Sequence, residues 1–146
     1  MSKLGTTTIN GHEVSFFEPP HKDGPDFPWV DVKELAGAFL PPEATARMVK
    51  HAQQFGGDGP RVVSVTRNGD DIATIVPHAL AQGLCGAIDN WNGFKPADAD
   101  DNGPVHWAYC IAAGQFAADH WPLSFEGIIH AFHNPGGHYL RGLKDE

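Results

Sequence analysis

The sequence predicts an α+β fold in a single domain spanning residues 1–146, and three observations carry the prediction. Two Asn-Gly pairs, Asn10-Gly11 and Asn68-Gly69, each lie between β-branched runs, and this dipeptide supplies the two positive-φ positions of a tight hairpin turn. Elsewhere apolar residues recur at the three- and four-residue spacing of helix faces. The 146 residues, 41% hydrophobic with four tryptophans, suffice for one sizeable core.

The first hairpin is "TTTINGHEVSF". The Pro-, Gly- and Asp-rich "EPPHKDGPDFP" continues neither strand and is expected to be a loop. A helix begins in "WVDVKELAGAF". Asp31 can cap it, Glu34 can reach back in a capping box, and Val32, Leu35, Ala36 and Phe39 share a face. Pro41-Pro42 ends that helix and starts the next, in which Met48, Val49, Ala52 and Phe55 form a stripe that Gly56-Gly57 terminates. "RVVSVTRNGDDIATIV" is the second hairpin, with Val63, Val65, Ile72 and Val76 as its apolar positions.

After Pro77, residues Leu80, Leu84, Ala87, Ile88 and Trp91 fall on one side of a helix over 78–91. The acidic stretch "NGFKPADADDNGP" is expected to be a loop. The helix "VHWAYCIAAGQFAADHW" is apolar on nearly every side, a pattern that predicts a central place in the core. A last helix, opened by Ser124 as N-cap, aligns Phe125, Ile128, Ile129 and Phe132 toward the core, and Asn134-Pro135-Gly136-Gly137 breaks it. Residues 104–140 thus read as a C-terminal helical pair covering the sheet.

Charge divides the chain. Residues 1–67 hold seven Lys/Arg against eight Asp/Glu, and residues 68–146 hold three against ten, for a net charge of -8. Such a surface repels a phosphate backbone, so nucleic acid is disfavoured as a partner. The residues that would have to form a basic patch are Arg47, Lys50, Arg61 and Arg67. No run of apolar residues is long enough to span a bilayer, and "MSKLGTTTING" lacks the apolar core of a secretory signal, so a cytoplasmic protein is expected.

Two stretches suggest metals. In "DADDNG", Asp98, Asp100, Asn102 and Gly103 match the opening of a calcium loop, but Tyr109 stands where a bidentate glutamate should complete the shell. In "HAFHNPGGHYL", His130 and His133 share an edge of the last helix with Glu126, and His138 follows after a glycine-containing break. Histidines at a helix end are also favoured by its negative dipole, and this accounts for them without a metal. No metal or other cofactor is expected. His106 and Cys110 are four apart, the spacing at which imidazole and thiol meet. If the protein is an enzyme, its pocket is expected between the last two helices, lined by His106, Trp107, Cys110, His130 and His133. Cys85 and Cys110 otherwise read as buried apolar residues.

The piece "PWVDVKELAGAF", residues 28–39, resembles a segment of the BRO and phage-antirepressor N-terminal domain through Pro28, Trp29, Lys33, Glu34, Leu35 and Ala36. "DDIATIVPHALAQGL" is similar in order to that family's final hairpin strand and ensuing helix, so the resemblance covers residues 6–90. It implies DNA binding or regulatory protein contact, with no catalytic centre and no required cofactor. Together with the acidic balance, these features favour a non-enzymatic regulatory or interaction module whose partner is a protein.

Overall fold

The computed structural model describes residues 3–21, 24–54 and 63–133, and Arg61, Phe55, Gly56-Gly57 and His138 lie outside them. Strands β1 (Lys3–Ile9) and β2 (His12–Phe17) form the first hairpin, with Asn10 and Gly11 at φ 50° and 78° as its turn requires. Strand β3 (Trp29–Asp31) leads directly into α1 (Val32–Gly37), and α2 (Pro42–Gln54) follows. The second hairpin is β4 (Ser64–Asn68) with β5 (Asp71–Val76). Helices α3 (His78–Trp91), α4 (Pro104–His120) and α5 (Phe125–His133) complete the fold.

The two hairpins are one sheet, not two. β3 pairs antiparallel with both β2 and β5, which gives the order β1-β2-β3-β5-β4. The strand period of two then sorts the core. Phe16, Val30 and Val76 point to the helical side, where they meet Leu35, Leu80, Leu84, Ile88 and Tyr109. Phe17, Trp29 and Ile75 point to the other side with Ala73.

The second turn differs from the expected one. Asn68 pairs with Asp71, so the loop residues are Gly69 and Asp70, with Gly69 alone at positive φ, 64°. Glycine first in a two-residue loop is the mirror-image turn that tolerates an ordinary second residue. Asn68 is thereby a strand residue, and its amide donates to Asp31 Oδ2 at 2.9 Å and to Ser15 Oγ at 3.1 Å, while Lys3 Nζ donates to its oxygen at 2.9 Å. Asp31 is also the predicted cap of α1, accepting from Glu34 N at 3.1 Å. The other half of the box does not form as expected, because the Glu34 carboxylate is engaged by Ser15 N at 2.8 Å. Burial pushes the Asp31 carboxyl above its ordinary range despite these donors. Asn68→Ala should therefore cost about 1–2 kcal/mol in urea unfolding, since it strips one donor from a buried carboxylate.

Three predicted faces are turned or narrowed. On α3, Leu80, Leu84 and Ile88 are buried with Ala81 and Cys85, but Ala87 and Trp91 are exposed, and the Trp91 ring instead takes the Arg47 guanidinium at 4.9 Å. Val65 and Ile72 fall with Thr74 and Val76 on the helical side of the sheet, but they belong to the edge hairpin and are exposed. On α5 the seated residues are Gly127 and Ala131, while Phe125, Ile128 and Ile129 are exposed. Small residues let this helix approach closely: a Cβ on Gly127 would touch Ser124, Leu123 and Pro25. Ser124 does cap the helix, accepting from Gly127 N at 3.0 Å.

Helix α4 departs most from expectation. It buries Val105, Tyr109, Ala113 and Phe116 against α3 and β1, with Phe116 stacked on Phe16 at 4.6 Å, but its opposite side is open to solvent. An apolar pattern all round reads as central, yet among the described residues Trp107, Ile111, Gly114 and Ala118 on the far side stay exposed. Its N-terminus is capped from another helix. Gly103 offers no side chain, and Asp89 at the end of α3 accepts from Val105 N and His106 N at 2.9 and 3.0 Å. Among the described residues no helix is long and apolar enough to cross a membrane.

Candidate functional site

A loop tied at several points creates the main concavity. Asp26, nearly fully buried in the loop before β3, accepts from Phe27 N at 2.8 Å and Trp29 Nε1 at 3.1 Å and pairs with His21 Nε2 at 2.9 Å. Trp121, just past α4, donates its indole N–H to the Asp26 carbonyl at 2.9 Å. On the α5 side Gly24 adopts φ 127° directly beneath the His130 imidazole, where a Cβ would collide with the ring. The loop, the end of α4 and α5 are thus held apart around a cavity of about 400 Å³, open on one side. Helices α4 and α5, the expected C-terminal pair, both border it.

The cavity wall is largely apolar: Phe16, Phe27, Ala113, Gly114, Ala117, Ala118, Trp121 and Ile128 line it, with His78 as its titratable ring and Cys110 as its thiol. His78 opens α3 after Pro77, and its Nδ1 lies 2.8 Å from the hydroxyl of fully buried Tyr109. Burial depresses the His78 pKa to about 4; nearby Asp26 works the other way and His106 adds to the depression. The ring is therefore neutral at pH 7. Burial holds Tyr109 protonated, so its hydroxyl proton needs an acceptor, which His78 Nδ1 provides. This assigns the imidazole proton to Nε2.

Cys110 is half-buried, and desolvation raises its pKa against the lowering effect of Gln82, which donates to Sγ at 3.4 Å. His106 Nε2 does meet the sulfur, at 3.6 Å. A thiol held in the protonated form is a poor nucleophile.

Of the five pocket residues read from the sequence, Cys110 lines this cavity. His106 lies instead beside Asp89 and Asn102 in a separate depression, with its ring edge-on to Trp107. Trp107 points outward and is 52% exposed, and His130 packs on Gly24. His133 ends α5, and its side chain lies outside the described residues. Glu126 and His130 are both exposed on α5, and among the described residues no three His, Cys, Asp or Glu side chains are gathered as metal ligands. In the acidic loop, Asp98 accepts from Asp100 N at 2.9 Å and Asp101 from Ala97 N at 2.9 Å, so both carboxylates support local turns. Arg47 and Lys50 are three apart on the exposed side of α2, whereas exposed Arg67 is on β4.

Sequence reasoning missed His78, Asp26, Tyr109 and Asp89. A Pro-His pair opening a helix was a local signal for the first, but nothing local pairs His78 with Tyr109, thirty-one residues away.

A second feature adjoins the cavity. Trp107, Ile111, Gly114 and Ala118 recur at i, i+4, i+7 and i+11 along the outer side of α4, all exposed, Ile111 by 70%. Residues 104–118 contain no Asp, Glu, Lys or Arg, in a chain of net charge -8. Gly114 and Ala118 belong to both the stripe and the cavity rim, and across the cavity Ile128 continues the apolar surface to Phe125 and Ile129 of α5. No protein-family model matches the chain, and no curated protein or solved structure does either.

Proposed function

We propose that the protein is a non-enzymatic regulatory module that docks a protein partner on the outer face of α4 and α5, with the adjoining cavity receiving an aromatic side chain of that partner. The observation that carries this reading is the charge-free apolar stripe exposed beside an open apolar cavity. Contiguous apolar surface of this kind marks interaction sites, and interfaces concentrate their energy where an aromatic anchor fills a pocket. The neutral His78 ring leaves the cavity without a formal charge at pH 7, which suits an aromatic ring better than an ion. The regulatory role implied by the BRO-like segment agrees with it. Arg47, stacked on Trp91, and Arg67, on β4, offer less to a DNA-binding reading.

Calorimetric titration with 3-methylindole tests the cavity. One site per chain is expected, with Kd on the order of 0.1 mM for a ligand of this size. Gly114→Phe should abolish binding by placing a ring at the rim, and open space around an added Cβ lets the fold accept it. Absence of saturable binding, or equal binding by the variant, would refute the reading.

A further inference from the structure

We infer that the partner on this face is a second copy of the chain, paired antiparallel along α4 so that Trp107 of each copy enters the other's cavity. The inference rests on the docking reading above and adds the identity of the occupant.

The stripe is self-complementary in size. Its N-terminal half is large, Trp107 and Ile111, and its C-terminal half is small, Gly114 and Ala118. A two-fold axis midway between Ile111 and Gly114 on the exposed stripe places Trp107 opposite the partner's Ala118 and Ile111 opposite the partner's Gly114, so each bulky residue meets a small one. A parallel pairing would set Trp107 against itself. Closed two-fold contacts require such self-complementarity, because the same patch serves both copies. At the level of Ala118 the facing surface includes the cavity rim formed by Gly114, Ala117, Ala118 and Trp121. An indole set there has a 400 Å³ space to enter.

Charge and area agree with this occupant. Two copies at net charge -8 repel each other, and residues 104–118 form a surface on which they can meet without opposing like charges. A partner selected by charge would need a charged face, and this stripe has none. The exposed parts of Trp107, Ile111, Phe125, Ile128 and Ile129 amount to on the order of 600 Å² per copy, near the roughly 800 Å² per partner of a standard interface before the cavity walls are added.

Sedimentation equilibrium on the full chain, from micromolar to millimolar concentration, tests the pairing. A monomer–dimer equilibrium is expected, weakened more than 100-fold by Ile111→Glu and at least tenfold by Trp107→Ala. Both side chains are exposed, so folding is not at stake, and circular dichroism confirms it. Register is tested by mixing Trp107→Cys and Ala118→Cys chains, each also carrying Cys110→Ala: the mixed disulfide should form faster than either like pair. A chain that remains monomeric at millimolar concentration while 3-methylindole still binds would overturn the second copy and leave the docking face standing. Loss of 3-methylindole binding as well would overturn both. A dimer indifferent to Ile111→Glu and Trp107→Ala, or one in which the mixed disulfide shows no preference, would place the contact elsewhere and overturn the inference.

Discussion

Replacing Asp89 by alanine should lower the stability of the protein by about 4 kcal/mol, measured by urea unfolding followed by circular dichroism. The carboxylate accepts from Val105 N and His106 N, two of the donors that the first turn of α4 cannot satisfy internally. Leaving a buried donor unpaired costs about 1–3 kcal/mol, and the favourable meeting of a negative charge with the helix N-terminus is lost as well. Asp89 is almost entirely buried, so water cannot replace it in place. Asp89→Asn keeps one acceptor oxygen and should lose about half as much. A Cβ on Gly103 would press into the same carboxylate, so Gly103→Ala should also destabilise. A loss below about 1 kcal/mol for Asp89→Ala would show that α4 does not depend on this cap.

The second large effect is a pH dependence that belongs to His78. Its folded pKa of about 4 lies below the ordinary 6.5, so the unfolded chain binds the proton first as pH falls. Stability is therefore unaffected by this ring above pH 6.5, declines from there to pH 4, and should have lost on the order of 3 kcal/mol at the lower limit. Asp31, whose pKa burial raises, contributes in the opposite direction when it protonates. His78→Gln separates the two, since the amide oxygen can still accept from Tyr109 while the group no longer titrates. The difference in unfolding free energy between wild type and variant should shrink toward acid pH by that amount. A difference that stays constant from pH 7 to 4 would contradict the neutral, buried ring.

The fold was legible where the signal is local. Asn10-Gly11 announced its turn because few residues accept positive φ, and Asp31 announced the start of α1 because its carboxylate reaches an amide three residues on. The 3.6-residue period located α3 within its observed bounds. Less was visible where a second element arbitrates. Asn68 looked like a turn residue, but the register with β5 made it a strand residue whose side chain joins β2, β3 and β1.

The candidate site was barely legible. Histidine clustering drew the eye to His130 and His133, yet the cavity's titratable ring is His78, which the sequence leaves isolated from other histidines. Its depressed pKa comes from burial under Phe27 and beside Tyr109, residues 51 positions before it and 31 after it.

By itself, then, the sequence determined the α+β class, the two hairpins, the span of α3 and the uncharged character of residues 104–118, because propensity, period and net charge are properties of neighbouring residues. Helix α1, by contrast, ends at Gly37, short of the expected Pro41. The tertiary structure alone decided that β3 merges the hairpins into one sheet, that Asp89 caps a helix other than its own, and that Trp107 and Ile111 on the outer side of α4 stay exposed among the described residues. Those outcomes depend on which surfaces meet across long stretches of chain, and a periodic apolar pattern states that a face is apolar without stating what covers it.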